Sequence, residues 1–163
     1  MQKKIKELLE FGEKLLGIKY GWWMDGPTQK EEPMWVRNEK VPKIEEIKSV
    51  NCTGFLNLIH RKLGIKIPKH ATLEMYDGGT SAYFSHFKEI SGKFDKNTKY
   101  KAGTLIGRNF YSVKDQGHVA IVLEDQYVLQ SIPGEGVNKK YTVQQSNGNG
   151  YYEYAVEPQN WLI

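Results

Sequence analysis

Asn51-Cys52-Thr53-Gly54-Phe55-Leu56-Asn57-Leu58-Ile59-His60 decides how this chain is read, because it places the only cysteine of 163 residues at the start of an apolar-faced helix. Asn51 is a good N-cap, since its short side-chain oxygen can accept from a backbone N–H of the first turn. Phe55, Leu56, Ile59 and Leu63 then recur at helical spacing until Gly64 supplies the stop. A thiol in that first turn feels the positive end of the helix dipole, which favours the thiolate, the form that attacks. Two readings of Cys52 stand on this segment alone: a nucleophile, or a small apolar residue filling the core. What separates them lies elsewhere in the chain.

Toward the N-terminus, Ile5, Leu8, Leu9, Leu15 and Leu16 fall on one helical face between Lys3 and Leu16, and Gly17 ends the pattern. Ile18 to Trp23 is an aromatic cluster, Tyr20, Trp22 and Trp23, that suits either core or the wall of a cleft. Asp25-Gly26-Pro27 reads as a turn. The stretch from about 21 to 50 reads as a long loop insertion over the surface, with Met34, Trp35 and Val36 as its apolar knot.

Toward the C-terminus, Ile65 to Pro68 is an extended exit from the cysteine helix, and Lys69 to Thr72 opens a short helical stretch broken at Gly78-Gly79-Thr80. Tyr83, Phe84, Phe87 and Ile90 suit a further helix ending at Gly92, with His86 beside its apolar face as a structural histidine. The character then changes. Gly103–Gly107, His118–Leu123 and Tyr127–Ile132 are β-rich runs, and Glu124-Asp125-Gln126 is short enough to close a hairpin between the last two. Asn147-Gly148-Asn149-Gly150 is a turn signal before a strand over Tyr151 to Val156. Helices first and strands afterwards give an α+β fold, N-terminal helices packed on a C-terminal antiparallel β-sheet, in one domain spanning 1–163.

Composition excludes several function classes. No apolar run approaches the ~20 residues of a membrane span. The net charge of +4 comes from lysines scattered among glutamates rather than gathered in a stripe, so nucleic-acid binding is not indicated. One cysteine and four dispersed histidines lack zinc-ligand spacing, so no metal is implied, and no cofactor either. A single cysteine allows no intrachain disulfide. Met1 to Glu10 is too charged for the core of a secretory signal, so the expected location is cytoplasmic, or outside the cell after release by lysis or carriage by a virus or phage. The oligomeric state is not encoded in any of these features.

A cysteine nucleophile needs a base, and the base needs a third group to hold its tautomer. With residues 124–126 as the loop, Leu123 faces Tyr127 and, by the same count, His118 faces Ile132. Gln130 then lies one diagonal step from His118 on the same face of the hairpin. Its amide oxygen can accept from the imidazole N–H and orient the ring. Gly117, just before His118, leaves room for another element to approach closely.

These residues resemble a known family. Gly17-Ile18-Lys19-Tyr20, Asn51-Cys52-Thr53-Gly54-Phe55, Ile67-Pro68, Ala102-Gly103-Thr104-Leu105 and Gly117-His118-Val119-Ala120-Ile121-Val122 look like the successive blocks of the NlpC/P60 papain-like cysteine peptidases. The Gly-His-Val-Ala-Ile-Val wording is also similar to the related CHAP amidases. The resemblance implies a cysteine heading a helix on an antiparallel sheet, a histidine starting a strand, and a polar residue on the next strand. Those roles fall on Cys52, His118 and Gln130, with Tyr20 lining the site, and Trp22, close by in the chain, is a further candidate for binding substrate. It also implies amide hydrolysis, most often in the stem peptides of peptidoglycan. The sequence departs from the family pattern at Asn51, where aspartate is usual, Thr53, where serine is usual, Thr104, where aspartate is usual, and Gln130, where histidine is commonest. The 21–50 stretch is longer than the usual link.

The leading expectation is therefore a cysteine-dependent peptidase or amidase acting on a peptide or peptidoglycan-like substrate. Cys52 attacks, His118 moves the proton, Gln130 orients the ring, and the Cys52 N–H and the Tyr20 hydroxyl receive the oxyanion. The alternatives are a thiol acyltransferase, an intracellular amide or thioester hydrolase, and a non-catalytic binding module presenting Trp22, Trp23 and Trp35.

Overall fold

The helix that starts at Cys52 runs through the centre of the molecule. The structure, a computed structural model, describes residues 1–21, 41–70, 77–146 and 151–163. Trp22, Trp23, Trp35 and most of the long loop lie outside the described residues, as do the end of the Lys69–Thr72 stretch and the Asn147–Gly150 turn.

In chain order the elements are α1 (Gln2–Lys14), β1 (Lys19–Tyr20), β2 (Ser49–Val50), α2 (Cys52–Lys62), α3 (Thr80–Phe87), β3 (Gly92–Lys93), β4 (Leu105–Arg108), β5 (His118–Val122), β6 (Val128–Ile132), β7 (Gly136–Asn138), α4 (Val143–Ser146), β8 (Tyr154–Val156) and α5 (Pro158–Trp161). Six strands form one antiparallel sheet in the order β3-β8-β4-β5-β6-β7. The fold class is α+β, as the sequence predicts.

Alternation along the strands divides the sheet's side chains between two layers. Leu105, Val119, Ile121, Leu129, Tyr154 and Val156 pack with Phe55, Leu56 and Ile59 of α2 and Leu8 and Phe11 of α1. Ile106, Ala120, Val122, Val128 and Ala155 point the other way, against Phe94, Val143 and Tyr152. Phe55, Leu56 and Ile59 are each fully buried, worth about 1.5–3 kcal/mol apiece relative to exposure.

The helical spacing predicts a single apolar face on α2, yet every residue from Cys52 to His60 is buried. Polar Asn57 tolerates this because it is bonded. The Tyr83 hydroxyl donates to its Oδ1 at 2.9 Å, and its Nδ2 donates to the Gly78 carbonyl at 3.2 Å. Those bonds tie α2 to the start of α3.

Several expectations need correction. The helix after Gly79 ends at Phe87, leaving Ile90 exposed in the following turn, and His86 is exposed on α3 rather than structural. Gly92, expected as a stop, begins β3, which pairs with β8. Gly103 sits in a turn at φ +84° and β4 starts at Leu105. Within the described end of the loop, Ile44–Glu46 form a 3₁₀ turn, Ile47 and Val50 are buried, and β2 pairs with β1 in parallel. Residues 41–50 are thus part of the packed body and not a surface excursion.

Candidate active site

Asn51 has extended backbone angles, and its Oδ1 accepts from the Gly54 N–H at 2.7 Å and from the Thr53 hydroxyl at 3.3 Å. That cap makes Cys52 the first residue of α2, where the helix dipole is most positive. A neutral amide serves as the cap where the family pattern has aspartate, and it bonds a first-turn donor, the Gly54 N–H. The position is further fixed by Ser131 of β6, whose hydroxyl donates to the Val50 carbonyl at 2.9 Å. Cys52 is 8% exposed.

The β5–β6 register is the one read from the loop length. Ile121 faces Leu129 and Val122 faces Val128, and the Leu123 N–H donates to the Tyr127 carbonyl at 2.8 Å. The diagonal step from His118 to Gln130 follows, and His118 Nε2 lies 2.8 Å from Gln130 Oε1. An amide oxygen only accepts, so Nε2 carries the proton and Nδ1 carries the lone pair. Gly117 is at φ +77°, and a Cβ there would lie 2.5 Å from the Arg108 carbonyl oxygen. Glycine is required both by the backbone angle and by the approach of β4's end.

Burial pushes the His118 imidazole down to about 4, opposed by the hydrogen bond it donates to Gln130. At neutral pH the ring is therefore uncharged and able to accept a proton. Burial, reinforced by Cys52, raises the Tyr20 hydroxyl, which keeps it a proton donor, and the same two causes push Tyr151 up to about 12.

Cys52, His118, Gln130 and Tyr20 all line one cavity of about 570 Å³. The residue types needed for attack, proton transfer and orientation are thus gathered at one concave surface. Trp22, the remaining residue singled out from the sequence, lies outside the described residues. The cavity also has walls that sequence reasoning missed. Phe110, Val113 and Tyr151 line it and are exposed at 41%, 80% and 38%. The connection between β4 and β5 that carries the first two is held by Arg108, which bonds Asp115 at 2.6 Å and Glu153 at 3.1 Å. Thr80, at the start of α3, donates to the Gln116 carbonyl at 2.6 Å and closes the same connection from the other side. No local pattern announces Glu153 and Thr80 as partners, because those contacts join segments far apart in the chain, whereas Arg108 and Asp115 close a single loop. Thr104, the departure from the family's aspartate, is buried with its hydroxyl lacking a hydrogen-bond partner among the described residues.

No sequence-family model and no curated protein matches the chain. Solved structures do match in three dimensions. An NlpC/P60 family protein from Bacillus cereus superposes with a TM-score of 0.58 at 19% identity, covering 94% of this chain and 39% of its own. The NlpC/P60 domain of the peptidoglycan hydrolase SagA gives 0.53 at 19% identity, covering 94% of this chain and 97% of its own. RipD from Mycobacterium tuberculosis, described as a non-catalytic NlpC/P60 domain protein adapted to peptidoglycan binding, gives 0.53 at 17%, with 94% and 96% covered. The chain spans about two fifths of the first of these and nearly all of the other two. Its fold is the NlpC/P60 fold.

Proposed function

We propose that the protein is a cysteine-dependent amide hydrolase in which Cys52, His118 and Gln130 act together. The observation that carries this reading is the 2.8 Å bond between His118 Nε2 and Gln130 Oε1 in the cavity that Cys52 lines. It leaves a neutral imidazole whose Nδ1 carries the lone pair in the cavity that a helix-start thiol also lines, so nucleophile, base and orienter share one concave surface.

In the reaction, His118 Nδ1 takes the thiol proton as Cys52 Sγ bonds to the substrate carbonyl carbon. The charge on the carbonyl oxygen is met by the first turn of α2 and the Tyr20 hydroxyl. His118 then gives the proton to the departing amine, the C–N bond breaks, and an acyl thioester remains on Cys52. A water loses its proton to His118 Nδ1 as its oxygen bonds to the acyl carbon. The C–S bond breaks, the carboxylic acid leaves, and the proton returns to the thiol.

The substrate class we favour is the stem peptide of peptidoglycan. It is supported by the SagA domain, a peptidoglycan hydrolase, and by RipD, a peptidoglycan binder, sharing the fold. RipD also shows that this fold is compatible with binding alone, so the reading rests on this chain's own residues. Mass spectrometry of peptidoglycan fragments and a peptide library after incubation tests it, with Cys52→Ala as control. New amide-cleavage products that vanish in Cys52→Ala support hydrolysis. Unchanged products in Cys52→Ala contradict it, and transfer of the acyl group to an added amine in place of water makes the protein an acyltransferase.

A further inference from the structure

An amide has two ends of nearly equal size, and either can bond an imidazole nitrogen. The oxygen accepts from an N–H; the NH₂ donates to a lone pair. The choice at Gln130 sets the chemistry of His118. Oxygen toward the ring fixes the Nε2–H tautomer and leaves Nδ1 basic, whereas NH₂ toward the ring fixes the Nδ1–H tautomer and removes that base.

Two hydroxyls converge on the oxygen end. Ser146 Oγ and Tyr152 Oη are 2.7 Å apart, and they lie 3.5 and 3.4 Å from Gln130 Oε1. Two hydroxyls own two protons. One is used between them, and Oε1 is an acceptor within reach of the other. With the amide reversed, that proton would face an NH₂ group that cannot accept it. Gln130 is 2% exposed, Tyr152 4% and Ser146 half-buried, so the reversed amide would lose a bond in a largely dry setting.

Both hydroxyls belong to segments outside the β5–β6 hairpin. Ser146 ends α4, which Thr142 and Gln145 cap reciprocally: the Thr142 N–H donates to Gln145 Oε1 at 3.0 Å and the Gln145 N–H to Thr142 Oγ1 at 3.2 Å. The Tyr152 ring packs 5.3 Å from Phe94 and 6.0 Å from His118, centroid to centroid. The hydroxyls that position the amide thus come from segments separate from the hairpin that presents it, although α4 is tied to that hairpin by the Val143 N–H donating to the Gln126 carbonyl at 2.9 Å.

We propose that Ser146 and Tyr152 are positioning residues that hold the Gln130 amide oxygen toward His118 and so select the Nε2–H tautomer. The inference rests on the Cys52–His118–Gln130 reading for its catalytic meaning, but its test does not need a substrate. Long-range ¹H–¹⁵N NMR of histidine-labelled protein reads the tautomer of His118 directly, in wild type, Ser146→Ala, Tyr152→Phe, the double variant and Ser146→Thr. Tyr152→Phe keeps the packed ring and removes only the hydroxyl. The wild type and Ser146→Thr are expected in the Nε2–H form, with the ratio moving about tenfold toward Nδ1–H in the double variant. Each single variant moves it less, and these suffice if the double variant does not fold. With a substrate in hand, the double variant lowers kcat and leaves KM in place. An unchanged ratio in the hydroxyl-free variants overturns the proposal, and if turnover still requires Cys52 then only this inference has failed. A shifted ratio in a protein whose Cys52→Ala form remains active upholds the positioning and removes the catalytic reading instead.

Discussion

His60 and His118 are both buried, and burial holds both down to about 4, yet their surroundings differ. His60 lies in the last part of α2. Its Nδ1 donates to the Lys66 carbonyl at 3.1 Å, its ring stacks on Trp161 at 5.2 Å, and Tyr83 meets it edge-on at 5.4 Å. Its Nε2 has no hydrogen-bond partner among the described residues. His118 has its Nε2 bonded to Gln130 and lines the cavity that holds Cys52. Desolvation makes each ring neutral; only the second is placed where a neutral ring is useful. A depressed histidine is therefore evidence of burial, and function depends on which nitrogen is left over and what it faces.

The comparison breaks most visibly in activity. His118→Ala is expected to lower kcat/KM by about 10²- to 10⁴-fold, the usual worth of a general base, with the thermal midpoint little changed. His60→Ala is expected to do the reverse. Comparable losses of turnover in two well-folded variants would erase the distinction drawn between the two rings.

Acid sharpens the comparison through stability. Both groups have folded values near 4, below the ordinary 6.5, so between those values the unfolded chain binds protons that the folded protein refuses. Each contribution is complete above pH 6.5 and is lost progressively as the pH falls to about 4, amounting to about 3 kcal/mol per ring. Denaturant unfolding across that range should show the loss, and His60→Leu should halve it while leaving the acid limb of the activity profile near pH 4. An acid limb near 6.5 would mean that His118 is not desolvated in the working enzyme.

Smaller effects follow from packing and capping. His60→Ala empties space between Trp161 and Tyr83 and should cost about 2–4 kcal/mol in urea unfolding. Asn51→Ala, which removes the cap of α2, should cost about 1 kcal/mol. It should also slow alkylation of Cys52 as the first turn frays, whereas an unchanged alkylation rate would separate the cap from the site.

Much of this arrangement was legible in the sequence for local reasons. The Asn51 cap, the helix from Cys52 and the three-residue loop setting the β5–β6 register each depend on residues within a few positions of one another. Once the loop length was read, the His118–Gln130 diagonal followed from strand geometry. The misses are non-local. His60 and Asn57 fall on what looks like the solvent side of α2, and only the approach of α3 and Trp161 buries them. β1, β2 and β3 are two residues each, too short to show any alternation. Ser146 and Tyr152 reach Gln130 from separate segments, so no spacing rule brings them together.

The central claim is that Cys52 is activated by His118 in the resting protein, and the rate of iodoacetamide alkylation at pH 7 tests it without any substrate. Measured by mass spectrometry against the same protein in denaturant, the wild type is expected to alkylate at Cys52 faster than the unfolded chain, with His118→Ala falling back to or below it. Alkylation of native Cys52 no faster than the unfolded control, or undiminished in His118→Ala, would contradict the claim.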